Sequence, residues 1–265
     1  MDKSGGYAEN LFVAEFYDAV PPYENRKDIG FWTDACKESG GPVLELGCGT
    51  GRVLIPIAKT GTMVTGLDLS RPMLDVCRKK LTDLEVDLRE RIELVHGDIR
   101  EFSLHQKYNL IILPFRVFQH LLNVRDQLSC LNCIYKHLNP GGKLILDLFN
   151  PSLPMLAEDK YLNEFGDEPE FEMPDGRKVV RRARTTARDY YRQVVDSELI
   201  YYVTYPDGKE ERLVQSFPLR YFFRYEVEHL FARTGFDVVN LYADYDKSEF
   251  GSKDPGEMIF KARKT

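Results

Sequence analysis

Residues 43–52 read V-L-E-L-G-C-G-T-G-R, a short apolar run that leads directly into three alternating glycines, Gly47, Gly49 and Gly51. The run predicts a buried strand. The glycines predict a turn whose bare backbone N–H groups come close to a ligand, because glycine has no side chain to hold the ligand away. An ordinary corner between a strand and a helix is the alternative, since glycines build that feature as well.

The glycine spacing separates this turn from two common nucleotide-binding turns. The dinucleotide fingerprint G-x-G-x-x-G/A needs a small residue at position 52, where this chain has Arg52. A phosphate-binding P-loop needs a Lys-Ser/Thr pair after the glycines, and none follows Gly51. With Glu45 before the glycines, the segment resembles motif I of the class I methyltransferases that use S-adenosylmethionine (AdoMet). An NAD-dependent oxidoreductase is an alternative interpretation of this segment, and Arg52 argues against it.

Acidic residues at two later strand ends extend the resemblance. Asp68 ends the second apolar run, where a carboxylate can accept hydrogen bonds from both ribose hydroxyls. Asp98 ends the third run, where the family's acidic residue accepts from the adenine amino group. A helix N-cap is the alternative for Asp68, although Ser70 is the better cap, and a solvated turn is the alternative for Asp98. The resemblance implies AdoMet as the cofactor, and the residues that it places around AdoMet are Tyr17, Arg26, Glu45, Gly47, Cys48, Gly49, Thr50, Gly51, Arg52, Asp68, Leu69, Met73, Asp98, Ile99, Pro114 and Phe115.

Apolar runs and helical patterns alternate through the first part of the chain. We predict strands and helices, in chain order, over 43–46, 52–59, 63–68, 71–81, 92–95, 108–113, 125–137 and 143–149. This order predicts a doubly wound parallel α/β sheet, and the resemblance implies the seven-stranded Rossmann-like sheet of the methyltransferases. Pro56 removes a backbone donor inside the first helix, so that helix is expected to begin late or to bend.

The pattern changes after Asn150. Two P-D-G turns, at 174–176 and 206–208, punctuate a stretch rich in Tyr, Val and Arg that alternates as strands do. We therefore predict an antiparallel β insert, which the resemblance places as a cap over the methyl-acceptor site; a packing or dimerisation sheet is the alternative. The resemblance implies that the last strand of the chain inserts antiparallel beside the fifth. The predicted divisions are an N-terminal helical segment covering the cofactor site (1–40), an AdoMet-binding core (41–150), the β cap insert (160–221), and a C-terminal helix and strands that complete the core (222–265).

Methyl transfer from a sulfonium is an in-line displacement, so the protein mainly has to align and desolvate the acceptor. An amine acceptor needs no dedicated base, whereas a hydroxyl needs a general base within hydrogen-bond reach. His120, just after the fourth strand, is the candidate base. Tyr221, at the end of the insert, is the second candidate catalytic residue. A packing role is the alternative for both.

Composition narrows the function classes. The net charge of −6 over 265 residues argues against a sequence-independent grip on nucleic acid, which needs a cationic surface. No apolar run has the length of a membrane span and the N-terminus lacks the core of a signal peptide, so we expect a cytoplasmic protein without membrane contact. Cys130-x-x-Cys133 has no second cysteine pair nearby, so it predicts two positions on a helix and no metal site.

The favoured interpretation is an AdoMet-dependent methyltransferase that acts on an amine or a hydroxyl of a small molecule. The alternatives are a protein or RNA methyltransferase and a non-catalytic AdoMet-binding regulatory module. Residues 113–116 read L-P-F-R, which matches neither the Asn/Asp-Pro-Pro-Tyr of nucleic-acid and glutamine amino-methyltransferases nor the metal-binding carboxylate of catechol-type enzymes. A homodimer is compatible with the sequence.

Overall fold

The computed structural model describes residues 6–7 and 10–265 of the chain. The α-helices, labelled α1 to α9 in chain order, are Leu11–Phe16, Pro21–Glu24, Ile29–Ser39, Leu54–Lys59, Arg71–Thr82, Val86–Arg89, Val124–His137, Leu153–Ala157 and Arg224–Arg233. The strands, labelled β1 to β11, are Val43–Leu46, Val64–Asp68, Ile92–His96, Tyr108–Leu113, Leu138–Phe149, Phe171–Glu172, Lys178–Asp189, Val194–Thr204, Glu210–Arg220, Phe236–Tyr242 and Glu257–Lys264. Single 3-10 turns lie at Tyr17–Ala19, Val117–His120 and Asp159–Leu162.

Seven strands form the main sheet in the order β10-β11-β5-β4-β1-β2-β3. Strands β1 to β5 pair in parallel, and β11 runs antiparallel to both β5 and β10. The predicted doubly wound sheet is therefore confirmed, including the antiparallel last strand beside the fifth. The chain winds outward from β1 in both directions, so the gap between β1 and β4 is the switch point at which such sheets bind ligands.

Helices cover both faces of this sheet, which explains why its central strands are apolar almost without interruption. Helices α3, α4 and α5 pack on the face that carries Val43 and Ile112. Helices α7 and α9 pack on the opposite face, which carries Leu44 and Leu46. Alternate residues of each strand thus enter two separate cores.

Helix α4 begins at Leu54, two residues later than the pattern predicts. Gly51 has a φ of +81°, and the side chain of Arg52 is bound to Asp28. The residues just before Leu54 therefore form a turn and not the start of the helix. Pro56 then occupies the third position of the helix, where its missing N–H is one that the first turn leaves unpaired in any case. The expectation that this helix begins late is confirmed.

Two predicted strands also differ at their first residues. Strand β2 begins at Val64, one residue later than predicted; the Met63 carbonyl still accepts the N–H of Val43 at 3.0 Å, but the residue is 54% exposed. Strand β5 begins at Leu138, five residues before the predicted start at 143. Its pairing with β4 steps from Leu138 to Lys143, so residues 139–142 protrude as an irregularity within the strand.

The insert forms a separate antiparallel sheet in the order β6-β7-β8-β9. Its two P-D-G turns connect β6 to β7 and β8 to β9, as predicted, and Gly176 and Gly208 have φ values of +83° and +85°. One face packs on the N-terminal segment through a cluster that includes Phe16, Val20 and Tyr201. The predicted domain limits, and the role of the insert as a cap, stay predictions. Within the described part of the chain, every helix is too short or too polar to cross a membrane.

Candidate functional site

A cavity of about 420 Å³ lies at the carboxyl ends of β1, β2, β3 and β4. Its position and size are those of small-molecule sites in open α/β sheets. Eleven of the residues predicted for the site line it. They are Tyr17, Gly47, Gly49, Asp68, Leu69, Met73, Asp98, Ile99, Pro114, Phe115 and His120.

The glycine turn fits tightly against its neighbours. Gly47, Gly49 and Gly51 have φ values of +74°, +53° and +81°, which side chains disfavour. A Cβ at Gly47 would come within 2.5 Å of Val117, and a Cβ at Gly51 within 2.7 Å of the Cys77 sulfur. The structure therefore requires glycine at these positions for both conformation and space.

Asp68 connects the glycine turn to the end of β2. Its Oδ2 accepts the N–H of Gly49 at 2.8 Å, and its Oδ1 accepts the N–H of Ser70 at 2.7 Å. Ser70 caps helix α5 by accepting the N–H of Met73, so Asp68 is not the helix cap. Burial raises the pKa of Asp68, and the two N–H groups oppose that shift. Each carboxylate oxygen retains a lone pair for a further donor.

Asp98 has a partner that sequence reasoning missed. The guanidinium of Arg100 donates to both Asp98 oxygens, from Nε to Oδ1 at 2.8 Å and from Nη2 to Oδ2. The same guanidinium reaches Asp126 Oδ2 at 3.3 Å, and Asn123 caps helix α7 by accepting the Asp126 N–H at 2.9 Å. All four residues line the cavity. The signal in the sequence was an arginine two residues after Asp98.

Seven predicted residues do not line the cavity, and their roles stay predictions. These are Arg26, Glu45, Cys48, Thr50, Gly51, Arg52 and Tyr221. The Thr50 hydroxyl donates to Asp18 at 2.7 Å, and Arg52 donates to the two oxygens of Asp28 at 2.8 and 2.7 Å. These hydrogen bonds bind the N-terminal segment to the glycine turn.

Two of these seven residues interact with side chains that do not line the cavity. Arg26, which the family resemblance places near AdoMet, donates to the Tyr245 hydroxyl at 2.6 Å and to Glu257 at 3.1 Å. Tyr221, predicted as catalytic, has its ring edge-on to Phe223 at 5.9 Å. Neither side chain is directed to the cavity by these interactions.

Glu45 is the buried acidic residue of the glycine motif. It is 2% exposed, and its Oε2 has no hydrogen-bond partner among the residues that the structure describes. Burial raises the pKa of Glu45 well above its ordinary value, and the nearby positive charge of Arg52 opposes the shift. A buried carboxylate with an unused oxygen would be stabilised by a cationic or N–H donor group.

Aromatic rings form another wall of the cavity. The ring of Tyr7 lies 6.3 Å from Tyr17 and 6.2 Å from His120, and Tyr17 lies 6.5 Å from Phe115, all edge-on. The Tyr7 carbonyl accepts the Ser70 hydroxyl at 2.9 Å, which ties the start of the chain to the site. Burial raises the pKa of both tyrosines.

The remaining lining residues were not predicted because nothing in their local sequence indicates a ligand. They are Val117, Leu121, Leu122 and Arg192. Cys130 and Cys133 both lie on α7, as predicted. No group of three His, Cys, Asp or Glu side chains in the described ranges is arranged to hold a metal ion.

The fold and the cavity together define an α/β protein with a cavity at the switch point of a doubly wound sheet and a separate antiparallel β insert. Residues 43–142 match the family described as "Methyltransferase domain". The chain is 34% identical over 113 residues to the cypemycin N-terminal methyltransferase of a Streptomyces species, a match that covers 43% of this chain and 44% of that protein. The chain thus matches less than half the length of this relative.

Two solved structures share the whole architecture. The methyltransferase CcbJ from Streptomyces caelestis superposes with a TM-score of 0.78 at 24% identity, covering 100% of both chains. CalS10, an amino pentose methyltransferase from Micromonospora echinaspora solved with bound AdoMet, gives 0.68 at 22% identity and covers 97% of each chain. The whole chain therefore has the fold of these two methyltransferases, and AdoMet is the cofactor that the sequence motifs predict.

The residues present fit this cofactor. The left-handed glycines leave the turn open to close approach, Asp68 has lone pairs for hydroxyl donors, and Glu45 has an oxygen without a described partner. These groups suit a ligand with hydroxyls at one part and a cationic group at another.

Proposed function

We propose that this protein transfers the methyl group of AdoMet to a nitrogen or oxygen nucleophile of a small molecule that enters the cavity. The observation that carries the proposal is the meeting of the glycine turn, Asp68 and the aromatic wall in one cavity at the switch point of the sheet. When bound, AdoMet supplies an electrophilic methyl group on a positively charged sulfur.

The chain's own residues have separate tasks in this proposal. Asp68 accepts from the ribose hydroxyls, and the turn from Gly47 to Gly51 lies against the methionine side with Glu45 near its ammonium group. The rings of Tyr17 and Phe115 exclude water and present aromatic surface that favours a positive charge. Asp98, held by Arg100, remains the candidate for the adenine amino group.

An amine is the acceptor that we favour. Amine transfer requires alignment and desolvation, which a cavity walled by rings can supply, and the nucleophilic nitrogen needs no dedicated base. The relatives named as a cypemycin N-terminal methyltransferase and as an amino pentose methyltransferase support the same class of acceptor. A hydroxyl acceptor would need His120, which lies on the cavity wall between the rings of Tyr7 and Phe217.

The test is a methyl-transfer assay that measures S-adenosylhomocysteine release with matched sets of small amines, sugars and phenols. His120→Gln is the informative variant, and His229→Gln, on the exposed face of α9, is its control. Loss of a general base lowers the rate by about 10²–10⁴-fold. We expect a reduction of that size for hydroxyl acceptors and a smaller one for amines, with His229→Gln unchanged.

Tight AdoMet binding without transfer to any member of the panel would contradict the proposal. It would leave the non-catalytic AdoMet-binding module as the better interpretation. Transfer to a protein or an RNA in the same assay, with none to small molecules, would instead support the macromolecular alternative.

A further inference from the structure

Two consecutive non-glycine residues at the cavity wall have a left-handed backbone. Phe115, which lines the cavity, has a φ of +62°, and its neighbour Arg116, behind the wall, has a φ of +67°; both lie between Pro114, which directly follows β4, and the turn Val117–His120. Such residues hold this conformation only where their surroundings impose it, and they concentrate at functional sites. Their conformation places Val117 against Gly47 and brings His120 to the cavity.

Asp147 imposes this backbone from β5. The residue is fully buried, and its Oδ1 accepts the N–H of Arg116 at 3.1 Å. Its Oδ2 accepts the hydroxyl of Tyr245, which comes from the loop between β10 and β11. The Tyr245 hydroxyl in turn accepts from Arg26 Nη2 at 2.6 Å, so the N-terminal segment completes the chain of hydrogen bonds.

Charged side chains also contact Phe115 and Arg116. Glu257 accepts from Arg26 at 3.1 Å and from the Arg116 side chain at 2.9 Å. The guanidinium of Arg26 lies 4.8 Å from the centre of the Phe115 ring. We call Arg26, Asp147, Tyr245 and Glu257 the clamp. Its members come from three distant parts of the chain and meet behind the cavity wall.

We propose that Asp147 and Tyr245 are positioning residues that hold the left-handed Phe115–Arg116 backbone, and so fix how the acceptor is aligned for methyl transfer. The inference rests on the proposed function. The hydrogen bonds on the Asp147 carboxylate support it, because one oxygen accepts the Arg116 N–H and the other accepts the Tyr245 hydroxyl. No clamp residue lines the cavity in the described ranges, so the clamp affects alignment more than AdoMet affinity.

Tyr245→Phe is the sharpest test, because it removes one hydroxyl and keeps the ring. Tyr242→Phe is the matched control: both rings pack edge-on against Phe31, at 6.2 Å for Tyr242 and 5.7 Å for Tyr245, but only Tyr245 is bonded to Asp147 among the described contacts. Asp147→Asn is a second variant that keeps an oxygen for the Arg116 N–H. Three quantities are measured: the transfer rate at saturating substrates, the AdoMet Kd and hydrogen exchange at the Arg116 amide.

We expect Tyr245→Phe to lower the transfer rate by about ten- to a hundredfold, the effect of misplacing reacting groups by about 1 Å. We expect the AdoMet Kd to stay within about threefold of the parent value, well under the 1.4 kcal/mol of a tenfold change. Exchange at Arg116 should rise in Tyr245→Phe and Asp147→Asn, and Tyr242→Phe should match the parent throughout. The split between rate and Kd is what a purely structural role would not produce.

Parent-like rate and exchange in Tyr245→Phe would overturn the inference, as would an equally large reduction of the rate in Tyr242→Phe. A fall in thermal stability and AdoMet affinity together with the rate would also overturn it, because the clamp would then only hold the fold. A parent protein that transfers no methyl group refutes the proposed function separately. In that case hydrogen exchange at the Arg116 amide tests the clamp by itself, and unchanged protection in Tyr245→Phe and Asp147→Asn overturns the inference.

Discussion

Replacing Asp68 by asparagine tests the assignment of the ribose hydrogen bonds with the least change in shape. Asp68 already accepts the N–H groups of Gly49 and Ser70 at 2.8 and 2.7 Å, and each oxygen has a lone pair left for one ribose hydroxyl. Asparagine keeps one carbonyl oxygen and replaces the other with a donor. One ribose hydroxyl therefore has no acceptor in the variant, and the other no longer meets a charged one.

The expected magnitude follows from removing one hydrogen bond to a carboxylate. A hydrogen bond to a charged group contributes about 1.5–3 kcal/mol. We therefore expect the Kd of Asp68→Asn for S-adenosylhomocysteine to rise roughly 10- to 150-fold. Asp98→Asn should have a smaller effect, because Arg100 already occupies both Asp98 oxygens and can still pair with the amide oxygen.

Calorimetric titration with S-adenosylhomocysteine measures both Kd values. Asp75→Asn is the control, since Asp75 lies on α5 with its side chain 70% exposed and pairs only with Arg78 among the described ion pairs. Thermal unfolding without ligand shows whether Asp68→Asn also loosens the glycine turn. A Kd for Asp68→Asn equal to that of Asp75→Asn would refute the reasoning and remove Asp68 from the ligand site.

Three further predictions concern the same region. Gly47→Ala should lower the free energy of unfolding by about 1–2 kcal/mol because of its left-handed φ, and by about 1–3 kcal/mol more because of the clash with Val117. Gly61→Ala is the control: Gly61 has a φ of +92° but open space around it, so thermal unfolding should show only the first of the two contributions. Because the pKa of Glu45 is raised in the folded protein, the ionised side chain lowers stability as pH rises through that pKa. Glu45→Gln should therefore flatten the dependence of Tm on pH above the ordinary titration range of a carboxyl group while weakening AdoMet binding, and identical pH profiles for variant and parent would contradict this. Burial raises the pKa of Cys77 to about 12 and also raises that of Cys36, Cys48 and Cys130, so alkylation at a pH of about 8 followed by mass spectrometry should modify Cys133 first.

The main sheet could be predicted because its signals are local. A strand buried on both faces is apolar at nearly every position, as β1 and β4 are, and the glycines after β1 mark a turn that other residues disfavour. Strands β1 and β4 have the limits that their patterns predict. Because β1, β2 and β3 are parallel, their carboxyl ends bring Gly47, Asp68 and Asp98 to one edge of the sheet, and this could be predicted from the strand order alone.

Most ion pairs around the site could not be predicted, because they join residues that are far apart in the chain; the pair of Asp98 and Arg100 is the exception. Arg52 argued in the sequence only against a dinucleotide turn, and the structure shows it bound to Asp28, a buried residue 24 positions earlier. Asp147 gives no signal in the otherwise apolar part of β5, residues 144–149. Its partner Tyr245 lies 98 residues further on. Partner choice for such groups depends on the completed packing, and local patterns carry none of it.

The N-terminal segment connects the insert to the cofactor site. Phe16 and Val20 pack against the β insert, while the adjoining Tyr17 lines the cavity and Asp18 holds the glycine turn through Thr50. A displacement of the insert sheet would therefore move the segment that carries the aromatic wall. The N-terminal segment thus contacts both the β insert, which is proposed to shape the acceptor site, and the glycine turn, which is proposed to hold AdoMet. The insert and the turn are therefore mechanically coupled. Acceptor binding against the insert and cofactor binding at the turn are then expected to influence each other's affinity, reciprocally and by the same factor.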